Sequence, residues 1–226
     1  MKRREFITVV GGAAAWPLSA RAQQSKLPTI GYLGANTPSA APHWVAAFVR
    51  RLHELGWIDG HNLAIEYRWA EDRPERFTEI AAEFVRLKVD VIFAHGTQAA
   101  IAAKQATAVT PIVASPVSDP LGTGLVVNLA RPGTNVTGLS LQNVDIAAKR
   151  IELLREGLPS RRQLAILANV SNPANVLEIG EVQVAARERG LEFASFEIRR
   201  AEEISPAIEA LKGAARTRFM SVAIRC

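Results

Sequence analysis

Cysteine is almost absent from the chain: one thiol, Cys226, stands at the last of 226 positions. A single cysteine excludes an internal disulfide framework and any zinc site built on thiolates. Aromatic residues are scarce at 6%. No apolar run reaches the about 20 residues of a membrane helix, so stable membrane insertion is not expected. The usual catalytic signatures are missing too. There is no G-x-S-x-G nucleophile elbow, no G-x-x-x-x-G-K-[ST] phosphate loop, and no G-x-G-x-x-G after the first strand-like run. The four histidines, His43, His53, His61 and His95, lack metal-ligand spacing. No metal and no cofactor are therefore expected.

What is present is a globular composition, 48% hydrophobic and 22% charged. The length suits one large domain or two small lobes. A net charge of +5 suggests a nucleic-acid partner until the positions of the charges are considered. The chain opens Met1-Lys2-Arg3-Arg4-Glu5-Phe6. A weakly apolar stretch, Ile7 to Leu18, and then Ala20-Arg21-Ala22 follow. A basic start, an apolar middle and small residues before a cleavage point make an export signal. The paired arginines resemble the twin-arginine type, and Gly11-Gly12 and Trp16-Pro17 argue against a packed helix. Removing residues 1–22 takes four basic residues and one acidic one, so the balance falls from +5 to +2. The basic excess speaks for export to the periplasm, and no nucleic-acid partner is expected.

The remainder alternates strand and helix patterns. Thr29–Leu33 reads as a strand, Val45 to Leu55 as a helix stopped by Gly56, and Leu63, Ile65 and Tyr67 as a second strand. A helix follows through Phe77, Ile80, Phe84 and Leu87, with Pro74 near its start. Next come a strand at Val89–Ala94, an alanine-rich helix at Thr97–Thr107 and a strand at Ile112–Ala114. Leu121–Asn128 reads as a short helix and Val136–Leu139 as a strand. Beyond a boundary placed near residue 142, a helix spans 145–156, a strand 164–167 and a helix 173–190. For that last helix Asn172 is the N-cap and Pro173 the first residue. A strand at 192–197 and a helix marked by Ile204, Ile208 and Leu211 complete the pattern. Such alternation predicts an α/β fold of parallel sheets covered by helices.

Ligands of parallel sheets bind beyond the carboxyl ends of the strands. Those ends carry Asn36 and Thr37; His95, Thr97 and Gln98; Ser118 and Asp119; Thr137 and Ser140; and Asn169, Ser171 and Asn172. Hydroxyl and amide groups with one carboxylate suit a small polar solute held by hydrogen bonds. The start of the helix at Thr97 suits a carboxylate, Asp119 an ammonium group, and Trp44 a stacked ligand. The bland alternative is that Thr97, Asp119 and Asn172 only cap helices. A different alternative is a hydrolase or isomerase in which His95 and Asp119 form an acid–base pair.

The stretches Phe93-Ala-His-Gly-Thr-Gln-Ala-Ala-Ile-Ala-Ala-Lys104, Thr110-Pro-Ile-Val113, Ser118-Asp-Pro-Leu-Gly122, Leu129-Ala-Arg-Pro-Gly-Thr-Asn-Val-Thr-Gly138 and Ala148-Lys-Arg-Ile-Glu-Leu-Leu154 carry a further likeness. They resemble the substrate-binding proteins of ABC transporters related to tryptophan import, and R-P-G-x-N-V-T-G is the most specific block. The resemblance implies a type I periplasmic binding protein. Such a protein has two Rossmann-like lobes, closes on a small solute, docks on ABC permease subunits and is not an enzyme. It places ligand contacts at Asn36, Thr97, Gln98, Ser118, Asp119 and Thr137, with Thr97 and Asp119 foremost. The expected organisation is a signal at 1–22, an N-terminal lobe at 27–142 and a partial second lobe at 143–226.

Family members continue further, so the second lobe is expected to be incomplete and solute binding weak or absent. The Arg-rich end, residues 215–226, lacks the strand and loop that the family pattern wants. Permitted codons for it, read in another frame, spell Ala-Asp-Ala-Leu-Tyr-Val-Cys-Ser-Asp-Pro-Leu. A frameshift and a non-functional product are thus among the expectations.

Overall fold

The computed structural model describes residues 26–71, 73–215 and the strand at 220–225. The expected signal, residues 1–22, lies outside the described residues. In chain order the elements are β1 (Thr29–Gly34), α1 (Pro42–Glu54), β2 (Ala64–Trp69), α2 (Pro74–Leu87), β3 (Val91–Ala94), α3 (Thr97–Ala106), β4 (Ile112–Val117) and β5 (Val136–Ser140). Then come α4 (Ala147–Gly157), β6 (Gln163–Asn169), α5 (Pro173–Glu188), β7 (Glu192–Ile198), α6 (Ile204–Ala215) and β8 (Met220–Arg225). They form a five-stranded sheet ordered β2-β1-β3-β4-β5 and a three-stranded sheet ordered β7-β6-β8. Every pairing in both is parallel. The α/β class with parallel sheets is the one that the alternation predicts.

The first sheet is sided by the two-residue period of its strands. On β1, Gly31 and Leu33 face α2, and Tyr32 between them faces α1. Gly31 lies against Phe84, whose ring atom Cδ2 would be 2.7 Å from any Cβ added there. Phe77, Ile80, Ala81 and Phe84 recur at helical spacing and are the buried stripe of α2. α3 is nearly all alanine on its buried face, with Ala99, Ala100, Ala102 and Ala103, which lets the helix lie close to the sheet. These residues join Leu33, Ile92, Ile112 and Val136 in one core. On the opposite face Tyr32 contacts the rings of Phe48, Tyr67, Trp69 and Phe93, with centroids 5.1–5.6 Å away. α1 lies over this aromatic layer through Phe48.

The second sheet is built around β6, whose residues Leu164–Ala168 are all buried. Leu164 and Ile166 meet Ile151 of α4 and Val182 and Ala186 of α5 in a separate core. Between those helices Glu178, 2% exposed, is ion-paired with Arg150 at 2.5 Å. A buried carboxylate that loses its cation is strongly destabilising. Arg150→Ala is therefore expected to cost about 3 kcal/mol in chemical denaturation, and Arg150→Lys distinctly less.

Two expectations are corrected. Leu121–Asn128 is a series of turns and not a helix. Gly124 takes φ +70, and the carbonyls of Gly124 and Leu125 accept hydrogen bonds from the Lys104 ammonium of α3. The Thr134 hydroxyl donates to the Leu125 carbonyl as well. Tertiary donors take the acceptors that a helix would have used. The end of the chain, expected to lack a strand, contains β8, paired in parallel with β6. Its alternating Val222 and Ile224 fit a strand despite the arginines around them. Between the sheets the chain leaves β5 at Ser140 and enters α4 at Ala147.

Candidate functional site

The order β2-β1-β3-β4-β5 reverses direction between β1 and β3, and a crevice opens at that point beyond the strand ends. The chain leaves β1 through Ala35 and Asn36, and leaves β3 through His95 and Gly96 into α3. The carboxyl end of β6 faces them and carries Asn169. A cavity of about 290 Å³ lies between the two edges, near the lower end of small-molecule pockets. One wall holds Asn36, Trp44, His95, Thr97, Gln98 and Ser118, and the other Asn169, Asn172 and Asn175. Leu141 and Asn143 line it from the connection between the sheets, and Phe77 from α2. None of the described lining residues carries a full charge.

Two polar atoms of this lining, Asn36 Oδ1 and His95 Nδ1, are buried without a hydrogen-bond partner among the described residues. Unmet buried polar atoms cost stability and are uncommon. Both residues line the same cavity. The His95 ring lies 5.2 Å from that of Trp44, and burial holds its imidazole below the ordinary 6.5. The neutral form is thus favoured in the folded chain. Its contribution to stability is complete above about pH 6.5 and is lost as the pH falls through the lower folded value. His95→Gln is expected to flatten the fall in urea midpoint between about pH 7 and pH 5.

α3 begins at the cavity. Its N-cap is Gly96 at φ +99, a conformation that favours glycine, and no side chain caps the helix. The first-turn N–H groups and the positive end of the helix dipole favour an anion there. The Thr97 hydroxyl accepts a hydrogen bond from Ser118 N at 2.9 Å, which ties the end of β4 to α3. Asn143 Nδ2 donates to Ser118 Oγ at 3.2 Å. On the opposite wall Asn169 Oδ1 accepts from Ser171 N, Asn172 Oδ1 from Ala174 N, and Asn175 Nδ2 donates to Asn169 O. These amides shape the turn from β6 into α5. Gln98 Nε2 donates to Ser171 O at 2.9 Å across the cavity.

Four of the six expected contacts, Asn36, Thr97, Gln98 and Ser118, are brought together here. Asp119 is not among the lining residues: its carboxylate accepts from Gly122 N at 2.8 Å and so shapes its own turn. Thr137 lines a separate, mainly apolar cavity of about 60 Å³ with Val117, Leu125 and Val136. The acid–base pairing of His95 with Asp119 thus lacks a shared cavity. Of the three residues weighed as helix caps, Asn172 alone has that role. Trp44 and His95 were visible as candidates. Asn143 and Asn175 were not, because one lies in an irregular connection and the other reads as an ordinary helix residue; their burial reveals them.

Among the described residues no helix is long and apolar enough to cross a membrane. The sequence profile described as "ABC transporter substrate binding protein" matches residues 40–222. A tyrosine-binding protein of Clostridioides difficile is 31% identical over 167 residues, 74% of this chain and 48% of the relative. This chain therefore spans about half the length of that curated relative. A conserved domain protein from Vibrio cholerae has a similar structure, with TM-score 0.73 and 26% identity over 82% of this chain and 62% of that one. An ABC domain of Streptococcus pneumoniae, solved in complex with L-Trp, also gives a TM-score of 0.73, at 23% identity over 83% and 63% of the two chains. That second likeness shows the shared fold. With two parallel α/β lobes facing a cavity and a profile match over most of its length, the chain belongs to the ABC transporter substrate binding protein family.

Proposed function

We propose that this chain is the solute-capturing component of an ABC importer, and that it holds an amino acid as its zwitterion between the lobes. The observation that carries this reading is a cavity lining without full charges that nevertheless presents one anion-favouring edge and two unmet buried acceptors. A ligand with no net charge but two separated charges matches that pattern. Its carboxylate meets the first turn of α3, its ammonium group donates to Asn36 Oδ1 and neutral His95 Nδ1, and its side chain lies against Trp44 and Phe77. The name of the Clostridioides difficile relative supports an amino acid, tyrosine above all. The signal pattern of residues 1–22 supports export by the twin-arginine route and work in the periplasm, with ABC permease subunits as partners.

Calorimetry with L-tyrosine, L-tryptophan and L-leucine tests the reading, with tyramine and 3-(4-hydroxyphenyl)propionate as analogues lacking one charge each. L-tyrosine is expected to bind, and each analogue at least about tenfold more weakly, since a hydrogen bond to a charged group contributes about 1.5–3 kcal/mol. Binding that is indifferent to the carboxylate and ammonium groups, or no binding by any amino acid, sinks it.

A further inference from the structure

We propose that Gln98 acts as a latch between the two lobes and not as a contact to the solute. The inference rests on the reading of the cavity as the solute site, and adds what sets its closure. Gln98 is the second residue of α3, on the wall built by the first sheet. Its Nε2 donates to the carbonyl of Ser171 at 2.9 Å, on the wall built by the second sheet. The two residues are 73 apart in sequence and meet only when the walls face each other at this distance.

The acceptor is held in place independently of Gln98. Asn169 Oδ1 takes the N–H of Ser171, Ser171 Oγ donates to Arg199 O, and Asn175 Nδ2 holds the carbonyl of Asn169. The turn therefore presents the Ser171 carbonyl at a set position, and the long Gln98 side chain reaches out to it. A Cβ added at Gly122 would lie 2.9 Å from Leu177 Cδ1, so the walls also come close at an apolar side chain, which gives no direction. Among the described residues the amide supplies the directional part of the lobe contact. A bond made only in the closed arrangement shifts the balance toward it whether or not solute is present. One net hydrogen bond alters that ratio about fivefold.

The test uses the full chain with Cys226→Ser and spin labels at Glu79 on α2 and Glu181 on α5, both exposed. Interlobe distances are measured without solute for Gln98, Gln98→Ala, Gln98→Glu and Gln98→Lys. Alanine removes the donor, and glutamate removes it at the same size. Both are expected to lengthen the mean distance and to lower the closed fraction about fivefold. Lysine restores a donor and is expected to return the short distance. With L-tyrosine, Gln98→Ala is expected to raise Kd about fivefold through faster dissociation, with an unchanged association rate. Unliganded distances that do not differ between Gln98, Gln98→Ala and Gln98→Glu overturn the latch, as does a lysine variant as open as alanine. The unliganded distances are readable even if no amino acid binds, so failure of the proposed function and failure of the latch are told apart. A melting curve for each variant confirms that the lobes remain folded.

Discussion

Asn36→Ala is expected to weaken L-tyrosine binding by roughly 10- to 100-fold, the value of a hydrogen bond from a charged ammonium group. The same change is expected to leave the melting temperature unchanged or to raise it. Asn36 Oδ1 is buried without a partner among the described residues. In the empty protein this acceptor contributes only its desolvation cost, so truncation removes a penalty. In the proposed complex it receives the ligand's ammonium, so truncation would remove an attraction. A residue that trades stability for binding in this way belongs to a site and not to a core. Asn36→Asp keeps an acceptor but adds a charge to an uncharged lining, and is expected to favour tyramine relative to tyrosine. Calorimetry and thermal melts on the same samples check both signs. A variant that melts lower yet binds normally makes Asn36 structural.

Gly138→Ala is expected to cause the largest loss of stability, about 3 kcal/mol or more, because overpacking here is against backbone. Gly138 of β5 is paired with Ala114 of β4. A Cβ at Gly138 would be 1.7 Å from the Ala114 carbonyl oxygen and 2.7 Å from its carbon. No rotamer relieves that contact, since the obstacle is the neighbouring strand. The edge pairing of β5 must open, and with it Leu141 N to Val117 O at 2.8 Å and the support that Asn143 gives Ser118. Solute binding should therefore fall together with the urea midpoint. Gly180→Ala serves as the control: nothing lies within 4 Å of its added Cβ. An alanine inside α5 is expected to stabilise by about 0.5–1 kcal/mol. If Gly138→Ala is as mild as that control, the close approach of β4 and β5 is wrong.

Much of the framework was legible because it rests on local patterns. Phe77, Ile80 and Phe84 announce a helix by spacing, and Asn172-Pro173 marks a helix start by capping chemistry. Where tertiary partners decide, local reading fails. Leu121 and Leu125 stand four residues apart, as on a helix face, yet Lys104 and Thr134 claim carbonyls of this stretch from elsewhere in the chain. Asp119 looks like a ligand group until its carboxylate is seen closing the turn at Gly122. Gln98 stands at a strand end, where ligands bind, yet its amide is directed to Ser171, which no local pattern connects with it.

The sequence by itself determined the export-like opening, the alternation of strands and helices, the likeness to ABC substrate-binding proteins and the set of hydroxyl and amide residues at strand ends. Those properties depend on composition and on periods of two and 3.6 residues, which survive in a linear string. The tertiary structure decided which of those polar groups share a cavity and which of them are already engaged. It also showed that two polar atoms of the cavity-lining residues, Asn36 Oδ1 and His95 Nδ1, lack a hydrogen-bond partner among the described residues. Such matters depend on burial and on hydrogen bonds between residues far apart in the chain, and a buried polar atom gains its meaning only from the partners around it.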